Sequence, residues 1–135
     1  MAAELSVFST SWGWMGMAVS EGRLAGLTLP GPSEALAWSR LERQHPAGGR
    51  VDGDPLPELR QKILAYLDGE PTDFSDTPLE LPPGQPFRRR VWDICARIPY
   101  GETRTYAGLA AEAGSPRAFR AVGGAMASNP VPIVI

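Results

Sequence analysis

A proline-rich stretch constrains this chain more firmly than any other feature of its sequence. Pro71, Pro78, Pro82, Pro83 and Pro86 fall close together. Proline has a fixed φ and no amide N–H, so neither a helix interior nor a central strand runs through such a segment. Residues 70–85 therefore read as an extended connector. Charge changes sign across it. Residues 1–85 carry six basic against twelve acidic side chains, whereas residues 86–135 carry seven arginines against Asp93, Glu102 and Glu112. The formal net charge of −2 thus conceals an acidic part followed by a basic one, and the domain boundary is placed near Gly84. A basic module joined to a non-binding one is a nucleic-acid-binding pattern, although a solvated basic helix face is the simpler account of the charge alone.

Hydrophobic residues at 43% and charged residues at 21% are those of a globular domain. Apolar runs are short: the longest, Trp12 to Val19, is interrupted by Gly13 and Gly16, so no membrane span is expected. The start, MAAELSVFST, lacks a basic segment followed by an apolar run, so no secretory signal is expected and the cytoplasm is the expected compartment. Cys95 and His45 are the single cysteine and histidine. They make neither an internal disulfide nor a structural zinc site, and no metal or cofactor is expected.

Before the connector, apolar runs at Leu5, Val7 and Trp12–Val19 lead through a Ser20-Glu21-Gly22-Arg23 turn to Leu24, Leu27 and Leu29. Two apolar runs joined by a polar, Gly-containing turn predict a hairpin. Ser33 caps a predicted helix to about Arg43, with Leu36 and Leu41 inward. Residues 44–55 read as loop, and Leu56, Leu59, Ile63, Leu64 and Leu67 stand at helical spacing. After the connector the pattern is helical. Pro86 suits a helix start, with Phe87, Val91, Ile94, Cys95 and Ile98 as one apolar stripe. Thr105 caps a second helix, Tyr106 to Ala113, which Gly114 ends. Ser115-Pro116 opens a predicted third helix to about Ala127. Two short helices joined by a tight Gly turn are the grammar of a helix-turn-helix, which helical hairpins unrelated to DNA also share.

From Pro86 onward the sequence PFRRRVWDICARIPYGETRTYAGLAAEAGSPRAFRAVGGAMASNPVPIVI resembles the alkylguanine-DNA alkyltransferase family, the methylated-DNA–protein-cysteine methyltransferases. IPYGETRTY, RAVGGAM and NPVPIVI, in that order and at these spacings, carry the resemblance. The fold class is α+β. The resemblance implies a small ribonuclease-H-like α/β domain and connector over 1–84, then a winged-helix-like DNA-binding domain with its helix-turn-helix over 85–135. It further implies binding to double-stranded DNA in the minor groove, eversion of an alkylated guanine and transfer of its alkyl group to a protein cysteine. A monomer is expected.

In that family the acceptor cysteine stands in a Pro-Cys-His-Arg run directly after the segment matched by NPVPIVI. This sequence ends at Ile135, so no catalytic residue is assigned, a truncated chain is expected, and no alkyl transfer is expected of it. Val131–Ile135 reads as a buried strand. Cys95 reads as a buried structural cysteine on its helix stripe, and His45 as an exposed loop residue. A non-enzymatic lesion binder of the alkyltransferase-like kind is the alternative.

The resemblance assigns Arg120 as the finger that fills the space of the everted base, a task suited to a long planar cation. A solvent-exposed helix arginine is the plainer reading. Tyr106 matches the tyrosine that helps rotate the flipped nucleotide's phosphate, with helix packing as its competitor. Asn129 matches a hinge, or stops a helix. Ala118, Ala121, Gly123, Gly124 and Ala125 slim the third helix, either for a narrow groove or for helix packing. Phe119 is expected to pack inward with Val122 and Met126. Arg88, Arg89, Arg90, Arg104 and Arg117 supply candidate phosphate contacts.

Overall fold

In the computed structural model, which describes residues 2–83 and 85–135, four strands and five helices follow the chain order β1 (Glu4–Thr10), β2 (Gly13–Ser20), β3 (Arg23–Leu27), α1 (Glu34–Gln44), β4 (Gly49–Arg50), α2 (Pro57–Leu67), α3 (Pro86–Ala96), α4 (Tyr106–Glu112) and α5 (Phe119–Ala127). The boundary placed at Gly84 falls outside the described residues. The sheet runs β3-β2-β1-β4. The predicted hairpin is β2–β3, antiparallel through a turn in which Glu21 and Gly22 both have positive φ, the turn geometry whose twist matches that of the strands. Ser33 caps α1 by accepting from the Leu36 amide at 3.1 Å.

Sequence periodicity missed β4, inside the stretch expected as loop. It is two residues long and parallel to β1, held by Gly49 N–H to Ala3 O at 3.0 Å and Val51 N–H to Leu5 O at 2.9 Å. Backbone proximity, not apolar alternation, makes this strand. A Cβ on Gly48 would stand 2.9 Å from Leu5 Cδ2, so only glycine lets the chain lie this close to the sheet edge.

Over its described residues the connector forms no helix and turns once, Thr77 N–H bonding Phe74 O at 3.0 Å, and it is anchored. Leu24 donates to Pro78 O and accepts from Glu80 N–H, both at 2.9 Å, which extends the sheet beyond β3. Phe74 and Leu81 enter the main core with Phe8, Met15, Met17, Leu24, Leu27 and Ile63. That core also takes Trp92, Val131 and Val134 from beyond the connector, so hydrophobic burial runs across residue 84. A second core joins the three C-terminal helices through Val91, Leu109, Ala110, Ala113, Val122 and Ala125.

Val131–Ile135 is not a strand. Ile133 has φ 78°, and the Ile135 amide folds back onto Val131 O at 3.1 Å. Pro130 and Pro132 lack the N–H groups a ladder needs. The outer edge of β3 is occupied as well: Leu27 N–H bonds to Pro130 O at 3.0 Å. Burial was read correctly, since Val131 and Val134 are buried, but it is the burial of a compact turn.

Candidate nucleic-acid interface

The helix pair that forms the candidate interface is set by local chemistry. Thr105 Oγ1 accepts from the Gly108 amide at 2.9 Å and starts α4. Its end is a Schellman arrangement, with Gly114 at φ 84°, Ser115 N–H on Ala110 O at 2.9 Å and Gly114 N–H on Ala111 O at 3.0 Å. The following helix starts at Phe119, later than the Ser115-Pro116 start that the sequence predicted. Ala118 N–H instead bonds Ser115 O at 2.9 Å, a tight turn in which Pro116 takes the second position, where its fixed φ is favoured.

On α5, Val122 and Ala125 are buried, while Phe119, Arg120 and Ala121 are exposed and Gly123 and Gly124 half-buried. Ala125 therefore belongs to the core side and does not slim the exposed face. Phe119, expected to turn inward, is 48% exposed. It shares the outer face with Gly123, four residues on, because Val122 and Ala125 already fill the buried stripe. Tyr106, at the start of α4 and 51% exposed, lies across Gly123: a Cβ there would stand 3.5 Å from Tyr106 Cε2. Arg120 is one turn before Gly123 on the same surface. Tyr106 of α4 thus packs on Gly123 of α5, with Arg120 exposed on the adjoining turn, whereas Ala121, two residues from Gly123, points to another side of the helix.

The arginines divide into engaged and free groups. Arg90 donates through Nε to Ala113 O at 3.1 Å and lies 5.7 Å from the Phe87 ring centre, which makes it a fastening between α3 and α4. Arg104 pairs with Glu102 at 3.4 Å and Glu112 at 3.9 Å. Such exposed pairs hold weakly and exchange partners at little cost. Among the described residues Arg88, Arg89, Arg117 and Arg120 have no ion-pair partner. Arg88 reaches toward α5, since a Cβ on Gly124 would lie 3.9 Å from its Nη2.

Asn129 joins α5 to the terminal turn. Its Oδ1 accepts from the Val131 amide at 2.9 Å and its Nδ2 donates to Ile135 O at 3.4 Å. Both of these bonds lie within residues 129–135, so the side chain shapes the segment that follows α5.

Cys95 is half-buried, not buried. It stands outside the core clusters, in the wall of an open cleft of about 1030 Å³ that Tyr66, Phe74, Tyr100, Ile133 and Ile135 also line. The inward face of α3 is filled by Val91 and Trp92, which leaves Cys95 at the edge of that packing. Burial pushes its thiol pKa up, and a protonated thiol is a poor nucleophile. His45 is half-buried as well. Its backbone caps α1 and its ring presses on Gly26, where burial lowers its pKa.

Residues 86–135 match the family model described as "6-O-methylguanine DNA methyltransferase, DNA binding domain". A methylated-DNA–protein-cysteine methyltransferase of Mycolicibacterium paratuberculosis is 48% identical over 113 residues, covering 81% of this chain and 67% of that protein. The chain belongs to the methylated-DNA–protein-cysteine methyltransferase family. Its constitutive Bacillus subtilis relative is 48% identical over 80 residues, 59% of this chain and 47% of that protein. The chain spans about half the length of this relative and of the Haemophilus influenzae one. Among solved structures of the family, Mycobacterium tuberculosis OGT in complex with DNA superposes with a TM-score of 0.76 at 32% identity, covering 97% of this chain and 74% of that one. The likeness extends through the N-terminal sheet, so the α+β methyltransferase architecture holds over nearly the whole chain.

Proposed function

We propose that this chain binds duplex DNA through the exposed face of α5 and serves the repair of alkylated guanine. One observation carries the reading: Tyr106 packs on Gly123 of a slim α5 whose Arg120 is exposed one turn earlier, with no acidic side chain on α5 itself. A helix narrowed by Ala121, Gly123 and Gly124 fits the minor groove, which is about 6 Å wide. Arg120 then enters the stack and occupies the place of an everted alkylated guanine, and Tyr106 contacts the displaced nucleotide's phosphate. Arg117, Arg88 and Arg89 add sequence-independent phosphate contacts, joined by Arg104 when it exchanges its carboxylate partners. Asn129 is the hinge at the end of this helix.

The M. tuberculosis relative solved with DNA supports the choice of partner. The chain acts as a monomer in this reading. The alkyl-transfer step is not assigned to Cys95, whose thiol pKa burial pushes up and which stands on α3 rather than beside Tyr106 and Arg120.

Fluorescence anisotropy with a short duplex, unmodified or carrying one O6-methylguanine, tests the proposal. Salt-sensitive binding to both, tighter for the modified duplex, is expected. Equal affinity for the two duplexes contradicts the lesion reading, and absence of binding contradicts the whole.

A further inference from the structure

Trp92 is 2% exposed on α3, and its ring sits in the same core as the sheet residues Phe8, Met15 and Leu27 and the terminal Val131 and Val134. Its indole N–H nevertheless leaves that core and donates to Ala125 O on α5 at 2.8 Å. The last carbonyls of a helix have no partner within it. At Ala125 the Asn129 amide, four residues on, is directed to Met126 O instead, at 3.3 Å. Trp92 takes the place of that missing donor, with Ser128 Oγ as a second at 3.2 Å. The chain leaves helical geometry at Ser128, and Asn129 Oδ1 holds the amide of Val131, whose side chain joins the same core as the indole.

We propose that Trp92 is a positioning residue for the DNA-binding helix: its N–H closes the C-terminal turn of α5 while its ring holds the following segment, fixing the angle between them. Two residues earlier, Arg90 does the equivalent for α4 through Ala113 O, at 3.1 Å. Both helices of the pair are therefore held at their C-terminal carbonyls by side chains of α3, where a cation such as Arg90 also meets the negative end of the helix dipole. Without the indole donor the last turn of α5 frays, and duplex binding then has to reorder it.

The inference rests on α5 being the DNA-binding element, so its test carries one readout that needs no DNA. Trp92→Phe is compared with Trp92 replaced by β-(3-benzothienyl)alanine, an isostere with sulfur in place of the N–H that keeps the core filled if the phenylalanine variant fails to fold. Amide exchange at Ser128 and Val131 is expected to quicken about fivefold, the equivalent of one net hydrogen bond, with β2 amides unchanged. Duplex affinity is expected to fall by about the same factor. Unchanged exchange at Ser128 and Val131, or equal acceleration throughout the sheet, overturns the positioning role and leaves Trp92 as core filling. Native-like duplex affinity with locally faster exchange also overturns it. A native chain that binds no duplex fails the DNA reading itself, while the exchange rates still decide whether Trp92 closes the turn.

Discussion

The ring of Tyr106 covers the Cα of Gly123, close enough that an added methyl would rest 3.5 Å from Tyr106 Cε2. That spacing is ordinary van der Waals contact, so alanine fits at Gly123 without displacing the ring. Helix propensity favours Gly123→Ala by up to about 1 kcal/mol. The same methyl thickens the face proposed to enter the groove. The variant is therefore expected to unfold at equal or higher temperature while binding duplex DNA more weakly, measured by calorimetry and anisotropy on the same sample. Loss of stability together with affinity would assign Gly123 to packing alone.

Asn129→Ala removes the acceptor for the Val131 amide, bonded at 2.9 Å. A buried amide left without a partner costs about 1–3 kcal/mol, to be read from urea unfolding. Asn129→Asp keeps the acceptor and is expected to recover most of that loss. Equal damage by both variants would show that the Oδ1 contact does not hold the turn.

Burial holds the pKa of His45 below its usual value, so the folded chain disfavours the imidazolium. The stability this contributes is present above the unfolded value, about 6.5, and is lost as pH falls through the lower folded one. Unfolding free energy is expected to decline as pH drops below about 6.5, before exposed carboxylates titrate, and His45→Asn is expected to flatten this part of the profile. An unchanged profile would place His45 in water.

Cys95 has a raised pKa and is expected to react with iodoacetamide more slowly than a free thiol at neutral pH. Residues 1–135 incubated with DNA carrying labelled O6-methylguanine are expected to acquire no label. Label recovered on a Cys95 peptide would assign the acceptor role that the geometry withholds.

Much of the fold is legible because local chemistry decides it. Ser33, Pro86, Thr105 and Gly114 each satisfy or end a helix terminus without help from distant residues, and the structure uses all four as the sequence indicates. Failures came where partners distant in sequence decide. β4 exists because Gly48 lets the chain approach Leu5, and Val131–Ile135 curls where Pro130 O takes the Leu27 N–H at the edge of β3. Phe119 faces outward for a nearer reason, since Val122 and Ala125 of the same helix fill its core stripe. At the candidate interface, the family resemblance marked Tyr106, Arg120 and Gly123 as candidates. It carried no signal that Arg90 was committed to Ala113, or that a buried indole on α3 would reach Ala125. Those roles follow from the relative placement of helices.

α5 is proposed to meet duplex DNA with Arg120 at its tip, and Arg120→Ala is the most direct test. Arg120 is exposed and has no ion-pair partner among the described residues, so its removal should leave the melting temperature unchanged. Binding of an O6-methylguanine duplex by native and variant chains, titrated across a range of salt, is the measurement. Native binding that weakens with salt, and a variant with lost or strongly reduced affinity at unchanged stability, is the predicted result. Equal affinity of the two chains would contradict it.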